Sequence, residues 1–391
     1  MEHIKIIKQQ DILIAEMKIA FVSTYLPQQC GIATYTDYVI HGLRKVNPGL
    51  KIKVVAERDA SPVNQKRFEV VPCWNRNENY VEPIISNVKD ADIVHIQHEY
   101  GIYGLDDRLP TLLERLRASA KRTIITIHCI RPGQFCERGV MDENFAGRIA
   151  GLADGVIVHR DSQKAILKRL GIPAKKIHII PHGTALSNVD KKISRKRLKL
   201  PEKGKIITAF GFVNTFKGLD VSLEVLGEIR KEVEDVYLFI AGGASPTAPQ
   251  KAMNYVKNLI KQIKEVDLTD NVIFPNKFFP NEEIPYIFGA SDIALFTHYH
   301  EDRSVSGAIH LAIGAKKPVI AYRVPKFEVL KNICDELLIL PNNASGIAKT
   351  AVRIFEDKEF ERYILDRTER YRRATSWPAT VRKHLKLYNL I

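Results

Sequence analysis

The chain has 391 residues, 45% of them hydrophobic, and a formal net charge of +14. This length exceeds what one hydrophobic core usually organises, so two domains are expected. The five cysteines lack the CxxC spacing of a zinc site, and no apolar run approaches the roughly 20 residues that span a bilayer. We therefore expect a cytoplasmic protein with no structural metal, no disulfide framework and no membrane-spanning segment.

The first convincing strand is predicted at residues 18–23, “KIAFVS”, after an extension at 1–16 that carries no functional prediction. A polar stretch follows, in which Gln29, Cys30 and Gly31 precede an expected helix. A glycine at this position lets the backbone approach a ligand, and the N-terminus of the next helix favours negative charge. A simple tight turn between strand and helix is the alternative.

Short apolar runs then alternate with longer helical patterns along both halves of the chain. The runs after the first are “KIKVVAE”, “FEVVPCW”, “ADIVHIQ”, “RTIITIH”, “GVIVHR”, “KIHIIP”, “KIITAFG”, “VYLFIAGG”, “NVIFPN”, “DIALFTH”, “KPVIAY” and “ELLILP”. Continuous Val- and Ile-rich runs are typical of strands buried on both faces of a parallel sheet. With a charged stretch at 185–203 between the halves, the pattern predicts an α/β protein of two Rossmann-like domains.

Two clusters in the second half lie where strands end, which is where ligands bind in such sheets. In “FGFVNTFKGLD”, Gly211 closes a strand and Lys217 precedes a helix, so an ammonium could meet a phosphate there. In “SVSGAIHLAIGA”, Ser306 and Gly307 begin an apolar helix. We expect Ser306 to cap this helix and the free backbone N–H groups of the helix's first turn to bind phosphate oxygens. Solvated lysine and plain helix capping are the alternatives.

The basic charge is compatible with nucleic acid, anionic lipid or an anionic small substrate. Its densest run is “KKISRKRLKL” at 191–200, with a second group at Arg370, Arg372 and Arg373. No aromatic residues interleave with the first run, so bases have no stacking platform and nucleic-acid binding is not expected. A solvated basic face and a patch for peripheral membrane contact both remain open.

The motifs taken in order resemble the retaining glycosyltransferases of family four, which have the GT-B fold. They are “MKIAFVSTYLPQQCGIATYT”, “HIQHEYGIYG”, “TIH”, “IIPHGT”, “FGFVNTFKGLD”, “LFIAGG”, “SVSGAIHLAIGAKKPVIA” and “SWPATVRKHLKLY”. The resemblance runs from about residue 17 to the end. It implies an N-terminal acceptor-side domain at 1–184, a nucleotide-sugar-binding domain at 185–370, and a final segment, 371–391, that crosses back to the first domain.

The resemblance also implies roles for individual residues. His128 matches the histidine beside the transferred sugar and Lys217 the lysine that neutralises the diphosphate, and we expect both to be catalytic; a satisfied strand-end histidine is the alternative for His128. Donor contacts are expected at Lys217 and at a further set of residues. That set is Gly31, Gly211, Ser306, Gly307, Arg303 and Glu301. Acceptor-side roles are expected at four residues near the first domain's strand ends. These are Gln29, Cys30, His98 and Glu99.

The sequence departs from the family at two places. An arginine commonly follows the strand glycine, but Phe212 stands there, so either Lys217 neutralises the diphosphate alone or another basic residue such as Arg303 assists it. The family's Glu-x7-Glu motif would fall at Arg303 and Leu311, and Glu301 and Asp302 lie close enough in sequence to replace it. A branch of the family has “SG.L..ALG.G” instead, which “SGAIHLAIGA” resembles, and this branch suggests GDP-mannose as the donor.

The implied function is transfer of a hexose, with retention of configuration, from GDP-mannose or a UDP-hexose to a glycan, lipid or polyol. No metal or other cofactor is required by the resemblance. A catalytically silent nucleotide-sugar-binding subunit is one alternative, because glutamates and an arginine of the family are missing. A basic nucleic-acid-binding protein is another. A sugar-nucleotide epimerase or a phosphorylase would show acidic clusters or a second basic pair, and the sequence shows neither.

Overall fold

The computed structural model describes residues 17–130, 137–244, 250–298 and 305–391, with the side chains of 137–139 excepted. The chain divides into two α/β units. The first takes the described residues up to Gly183 together with Val305 and Trp377–Ile391. The second takes those of Thr184–Asp302 and Ser306–Ser376. Each unit is therefore assembled from separate stretches of the chain.

The first unit is built on an eight-stranded sheet. Its strands are β1 Lys18–Ser23, β2 Lys51–Glu57, β3 Val63–Gln65, β4 Phe68–Trp74, β5 Ile93–His98, β6 Arg122–Ile127, β7 Gly155–Val158 and β8 Ile177–Ile179. Their order across the sheet is β3-β4-β2-β1-β5-β6-β7-β8, and every neighbouring pair is parallel except β3 with β4. The predicted parallel sheet is confirmed. The sequence did not predict β3, because its Asn64 and Gln65 break the apolar pattern.

Helices cover both faces of this sheet, as a parallel sheet requires. They are α1 Gly31–Val46, α2 Val81–Asn87, α3 Tyr100–Tyr103, α4 Arg108–Ala118, α5 Glu137–Leu152 and α6 Asp161–Arg169, joined from the far end of the chain by α14 Trp377–Leu390. The last helix packs on α1 so tightly that a Cβ added to Gly42 would lie 2.7 Å from Val381 Cγ1. The C-terminal helix is therefore part of the first unit's core.

The second unit repeats the design with six strands. They are β9 Lys205–Phe210, β10 Val236–Ala241, β11 Val272–Ile273, β12 Ile293–Phe296, β13 Val319–Tyr322 and β14 Leu338–Ile339. All neighbours are parallel in the order β11-β10-β9-β12-β13-β14. Its helices are α7 Lys191–Leu198, α8 Leu219–Ile229, α9 Gln250–Glu265, α10 Ile284–Ala290, α11 Gly307–Gly314, α12 Ala344–Glu356 and α13 Lys358–Ala374. Among the described residues, no helix combines the length and apolarity needed to cross a bilayer.

Each sheet has a point at which the strand order reverses direction. In the first unit β1 lies between β2 and β5, and in the second β9 lies between β10 and β12. At such a point the loops that follow the two central strands diverge and leave a crevice at the carboxyl edge, where ligands of α/β proteins bind. The loops after β1 and β5, and after β9 and β12, are therefore the places to look for a site.

The basic run at 191–200 is in part structural and is not simply a solvated face. It forms α7, capped by the Asp190 carboxylate, which accepts a hydrogen bond from the Ile193 N–H at 2.9 Å. Arg195 is only 3% exposed and donates to Asp292 Oδ2 at 2.8 Å and to the carbonyls of Ala290 and Gly204. A buried guanidinium in this network is not free to contact lipid or nucleic acid.

Neutralising Asp292 should destabilise the second unit. Asp292 Oδ2 also accepts a hydrogen bond from the Ile206 N–H, near the start of β9, at 2.7 Å. Asp292→Asn therefore removes the negative charge that pairs with the buried Arg195 and weakens the contact to β9. Breaking a buried ion pair costs about 3 kcal/mol. Urea unfolding followed by circular dichroism should show a lower midpoint. Glu82→Gln, which removes the exposed partner of Arg115, serves as the control and should leave it unchanged. Equal midpoints for Asp292→Asn and wild type would contradict this account.

Candidate functional site

The loop after β9 is shaped by two glycines at the strand ends. Gly211 has φ +112°, a conformation that other residues rarely adopt, and its N–H donates to the Ala241 carbonyl at 3.2 Å. A Cβ added to Gly242 would lie 2.0 Å from the Gly211 oxygen, so this residue must also lack a side chain. The close approach lets the chain turn into the short 3-10 segment Thr215–Lys217.

Lys217 points back over this turn, with its ammonium close to Gly211. A Cβ on Gly211 would lie 3.2 Å from Lys217 Nζ. Within the described ranges, that nitrogen has no hydrogen-bond or ion-pair partner. Burial, together with the nearby ammonium of Lys326, lowers the pKa of Lys217 to about 7. Two cations so placed, one of them with a perturbed pKa, favour an anionic ligand.

The end of β12 fixes the position of this loop. The Thr297 hydroxyl lies 3.0 Å from the carbonyl oxygen of Lys217 and 2.8 Å from that of Gly218. Lys326 belongs to the 3-10 segment Pro325–Asn332, which begins shortly after β13 ends. Three neighbouring strand ends thus contribute to one cationic corner. Sequence reasoning missed Lys326, although its place just beyond a predicted strand end was a usable signal.

Ser306 lies at the N-cap position of α11, but the predicted capping hydrogen bond is absent. Ser306 is 6% exposed and has the extended backbone of an N-cap residue, but its side chain accepts no hydrogen bond from the first turn of the helix. At the other end of α11, the Gly314 carbonyl accepts hydrogen bonds from the Ser187 N–H at 3.0 Å and from Arg372 Nη1 at 2.7 Å. The helix is therefore anchored at its C-terminus, while Ser306 makes no capping bond.

The remaining donor-side expectations have mixed outcomes. Glu301 and Arg303 lie outside the described residues, so their proposed roles stay predictions. Phe212, which replaces the family's arginine, stacks on Phe278 with ring centroids 5.9 Å apart. An aromatic pair cannot supply the missing positive charge, which leaves Lys217 and Lys326 as the described cations of this corner.

In the first unit, the loop after β1 leads directly into α1. Gly31 is the first residue of that helix and is exposed, and a Cβ added there would meet no atom within 4 Å. Gln29 is exposed as well, whereas Cys30 is half-buried, with its sulfur 3.6 Å from the Thr24 hydroxyl. Nothing in the packing requires glycine at 31, which is what a position kept clear for a ligand would show.

His98, the last residue of β5, and Glu99, which follows it, have different structural roles. Glu99 accepts a hydrogen bond from the Gly101 N–H at 2.6 Å and so caps α3. His98 is fully buried among the rings of Tyr100, Tyr103 and Phe145, and burial lowers its pKa to about 3. In the described part of the chain neither of its ring nitrogens has a hydrogen-bond partner. His98 therefore underlies the strand end and does not line its surface.

His128 is part of a buried chain of hydrogen bonds that crosses β5, β6 and β7. Its Nε2 lies 2.9 Å from Gln97 Oε1, and its Nδ1 lies 3.1 Å from His159 Nε2. His159 Nδ1 lies 2.8 Å from the Ile180 carbonyl oxygen. At the other end, Gln97 Nε2 lies 3.2 Å from His95 Nε2. Both ring nitrogens of His128 therefore have hydrogen-bond partners, as expected for a strand-end histidine with a structural role.

Hydrogen-bond logic fixes the direction of this chain. A carbonyl only accepts, so His159 Nδ1 carries a proton and the neutral ring must accept at Nε2 from the His128 Nδ1–H. His128 Nε2 is then an acceptor, so the Gln97 amide must present its NH₂ end to His128 and its oxygen to His95. Burial first, then the neighbouring histidines, hold the pKa of His128 well below its usual value. The neutral tautomer is therefore set by its neighbours.

Family models match most of the chain. Residues 30–188 match the model described as Glycosyltransferase Family 4, and residues 190–371 match Glycosyl transferases group 1. The chain belongs to these glycosyltransferases, as the order of its motifs suggested. The branch with an altered Glu-x7-Glu motif remains a prediction. The described residues contain no group of three or more His, Cys, Asp or Glu that could hold a metal ion.

Curated relatives carry glycosyltransferase names. The chain is 25% identical over 253 residues to a 2-deoxystreptamine glucosyltransferase of Streptomyces kanamyceticus, which covers 60% of this chain and 61% of the relative. It is 22% identical over 204 residues to a D-inositol 3-phosphate glycosyltransferase of Salinispora tropica, covering 50% and 40%. The chain thus spans less than two thirds of these relatives.

Solved structures show the fold over nearly the whole length. Sucrose-phosphate synthase from Thermosynechococcus elongatus is 18% identical, with a TM-score of 0.76, and 96% of this chain and 98% of that chain are covered. HepE of Anabaena, in complex with UDP and glucose, is 15% identical with a TM-score of 0.72, covering 96% and 100%. Identities this low show fold alone, and they confirm the predicted GT-B class.

The buried histidines should make the first unit sensitive to acid. Among its described residues, five are buried with the pKa lowered by desolvation from the usual 6.5: His95, His98, His128, His159 and His384. Unfolding lets each of them bind a proton below pH 6.5, so stability falls as the pH drops from 6.5 towards 3, by up to about 1.4 kcal/mol per histidine and pH unit.

Tryptophan fluorescence measures this directly, because Trp74 and Trp377 are the chain's two tryptophans and both lie in the first unit. We expect an acid transition between pH 6.5 and 4. In His98→Phe, which removes one such site within an aromatic cluster, the transition should move to lower pH. A fluorescence signal that is constant down to pH 4 would contradict the lowered pKa values.

Proposed function

We propose that the protein is a retaining glycosyltransferase that transfers a hexose from a nucleotide diphosphate sugar to a hydroxyl group of an acceptor. The observation that carries this proposal is the ammonium of Lys217 at the reversal point of the second sheet, which has no ion-pair partner among the described residues and lies beside a second ammonium, that of Lys326. A diphosphate would supply negative charge to Lys217, and the N-terminus of α11 adds backbone donors of the same polarity. Family membership fits this chemistry.

In the proposed reaction, the bond between the anomeric carbon and the diphosphate oxygen breaks while the acceptor oxygen bonds to that carbon on the same face. The acceptor hydroxyl proton passes to a diphosphate oxygen, so charge and atoms balance without an added base. Negative charge grows on the leaving diphosphate, and Lys217 stabilises it more in the transition state than in the ground state. His128 does not transfer the proton, because its neutral ring is engaged at both nitrogens by Gln97 and His159.

The donor we propose is a hexose nucleotide, and GDP-mannose and UDP-glucose are the two to test. The branch resemblance supports the first. The structural neighbour HepE of Anabaena, solved in complex with UDP and with UDP-glucose, supports the second. For the acceptor we propose a small polyol or sugar, since relatives are named for 2-deoxystreptamine, D-inositol 3-phosphate and mannosylfructose-phosphate. Glycan and lipid acceptors are further arms of the same screen.

The donor is tested by thermal shift against GDP-mannose, UDP-glucose, UDP-N-acetylglucosamine and ADP-glucose, because a ligand of the native state raises the melting temperature. One nucleotide series should stabilise the protein. Binding without turnover across the acceptor panel would instead indicate a silent binding subunit. No binding in any series would refute the proposal.

Lys217→Ala should lower turnover by about 10²-fold with the fold intact, because a transition-state charge contact is lost. Since the pKa of Lys217 is about 7 and an anion favours the ammonium, wild-type donor affinity should weaken as the pH rises above 7. That dependence should vanish in Lys217→Ala. Calorimetric titrations at pH 6.5 and 8.5 measure it.

The matched control is Lys317→Ala. Lys317 is also a buried lysine of the second unit, with its pKa lowered to about 8 by desolvation, but it precedes β13 at the opposite edge and donates to the Gly289 carbonyl. Its removal should leave the pH dependence of donor binding in place. Wild-type turnover in Lys217→Ala would remove this residue from the mechanism.

Gly31→Val should impair turnover without unfolding the first unit. The new side chain meets no protein atom near its Cβ, so any loss of activity reports a ligand that needs the space. Steady-state kinetics with donor and acceptor varied separately show which substrate is affected. Gly227→Val, at another helical glycine with nothing within 4 Å, is the control. Unchanged kinetics for Gly31→Val would mean that Gly31 is only a turn residue.

A further inference from the structure

Glu57 ends β2 as a buried carboxylate with an unusually full set of donors. The residue is 4% exposed. It accepts hydrogen bonds from Gln28 Nε2 at 2.8 Å, from Arg76 Nε at 2.7 Å, from Arg76 Nη2 at 2.5 Å and from the Arg76 N–H at 3.2 Å. Burial alone would raise the pKa of Glu57, but the hydrogen bonds of Arg76 and Gln28 outweigh it and the pKa is lowered. The group is a fixed anion at neutral pH.

Arg76 extends the network to a second loop. Its Nη1 donates to the Gly101 carbonyl at 3.0 Å, and its own carbonyl accepts from Arg108 Nη1 at 2.8 Å. Glu57 and Arg76 therefore touch segments that follow β1, β2, β4 and β5, which are adjacent in the order β4-β2-β1-β5. The network spans the carboxyl edge of the sheet on both sides of its reversal point.

Gln28 is the connection from this network to the loop that follows β1. Its side chain also accepts from the Tyr25 N–H at 3.3 Å, so the loop folds around the same amide that Glu57 holds. The loop's other backbone bonds run from the Gln28 N–H to Tyr25, from the Cys30 N–H to Gln28, from the Thr34 N–H to Cys30 and from the Ser61 N–H to Leu26. The Tyr25 hydroxyl also donates to Asp37 Oδ1 at 2.6 Å, and Gln28 Nε2 has a second, longer bond of 3.5 Å to Asp59 Oδ2. Exposed Gln29 and Gly31 lie immediately beyond this anchor.

The arrangement is hard to explain by stability alone. A buried ion pair contributes little net stability, because desolvation of both charges offsets their attraction. Arg76 is also unavailable as an anion receptor along most of its guanidinium, because Glu57 takes Nε and Nη2 and Gly101 takes Nη1. What the network does provide is a fixed position for Gln28 in the middle of the loop, in addition to the bonds that the loop makes through Tyr25, Leu26 and Cys30.

We propose that Glu57 and Arg76 are positioning residues that act through Gln28 to hold the 24–31 loop in the shape required for acceptor use. The inference rests on the proposed function and on the acceptor-side roles expected from the sequence for Gln29 and Cys30 of this loop. No direct contact of Glu57 or Arg76 with substrate is needed. Gln29 and Gly31 are exposed on the loop, and the hydrogen bond that Gln28 donates to Glu57 fixes the positions of these two residues.

Gln28→Ala removes the connection while leaving the buried pair intact. Because a hydrogen bond to a charged group is among the stronger ones in proteins, its loss should lower kcat/KM for the acceptor about tenfold or more. Donor affinity should fall by less than this, since Gly31 is the single expected donor contact that lies in the loop. Gln65→Ala is the matched control, because Gln65 lies in β3 and bonds to Arg44 away from this edge. Equal losses in both variants would overturn the proposal.

Hydrogen exchange of the 24–31 backbone gives a readout that does not depend on turnover. Glu57→Gln and Gln28→Ala should both speed exchange in this segment at least threefold, while Asp90→Asn, at the Lys53 ion pair of the opposite edge, should not. Unchanged exchange in both test variants would overturn the positioning role. If wild type transfers no sugar from any donor, the proposed function fails and the acceptor role fails with it, whereas the exchange result still decides whether the network orders the loop.

Discussion

Parallel strands buried on both faces are the constraint from which the rest of this structure follows. Helices must cover each face of each sheet, so the only polar backbone left near the centre lies at the strand ends. The reversal of strand order then separates two loops at the carboxyl edge of each unit. Lys217 lies at one such edge and the Glu57 network at the other. Chemistry is concentrated there because the packing leaves no other central place for it.

The two edges handle buried charge in opposite ways. At the carboxyl edge of the first sheet, Glu57 and Arg76 form an ion pair, so their charges are neutralised and their side chains are held in place. Lys217 has no such partner in the described residues, and desolvation holds its pKa at about 7. One arrangement fixes a shape, and the other keeps a site ready for an anion. The buried histidines form a third kind, in which rings stay neutral and serve as uncharged donors and acceptors between strands.

Sequence reasoning succeeded where local pattern decides the outcome. Val- and Ile-rich runs located β1, β2 and β4 to the residue, and Lys217 was found because it follows a predicted strand and glycine. It was less successful where tertiary contacts decide. Arg195 of the basic run 191–200 is buried, which the run of charges did not indicate. His98, expected on the acceptor side, is buried beneath the surface of the strand end. Glu57, Arg76 and Gln28 are separated along the chain, so no spacing rule could join them.

The position of α14 has a consequence for how the chain acquires its structure during synthesis. Tyr38 of α1 stacks on Trp377 with ring centroids 5.2 Å apart, and Val381 fills the gap beside Gly42. A ribosome makes residues 377–390 only after the entire second unit, so the α1 surface of the first unit stays uncovered while about 190 further residues emerge. The N-terminal half, although made first, is thus the last to complete its core, and the nascent chain carries an open apolar face that chaperones could recognise.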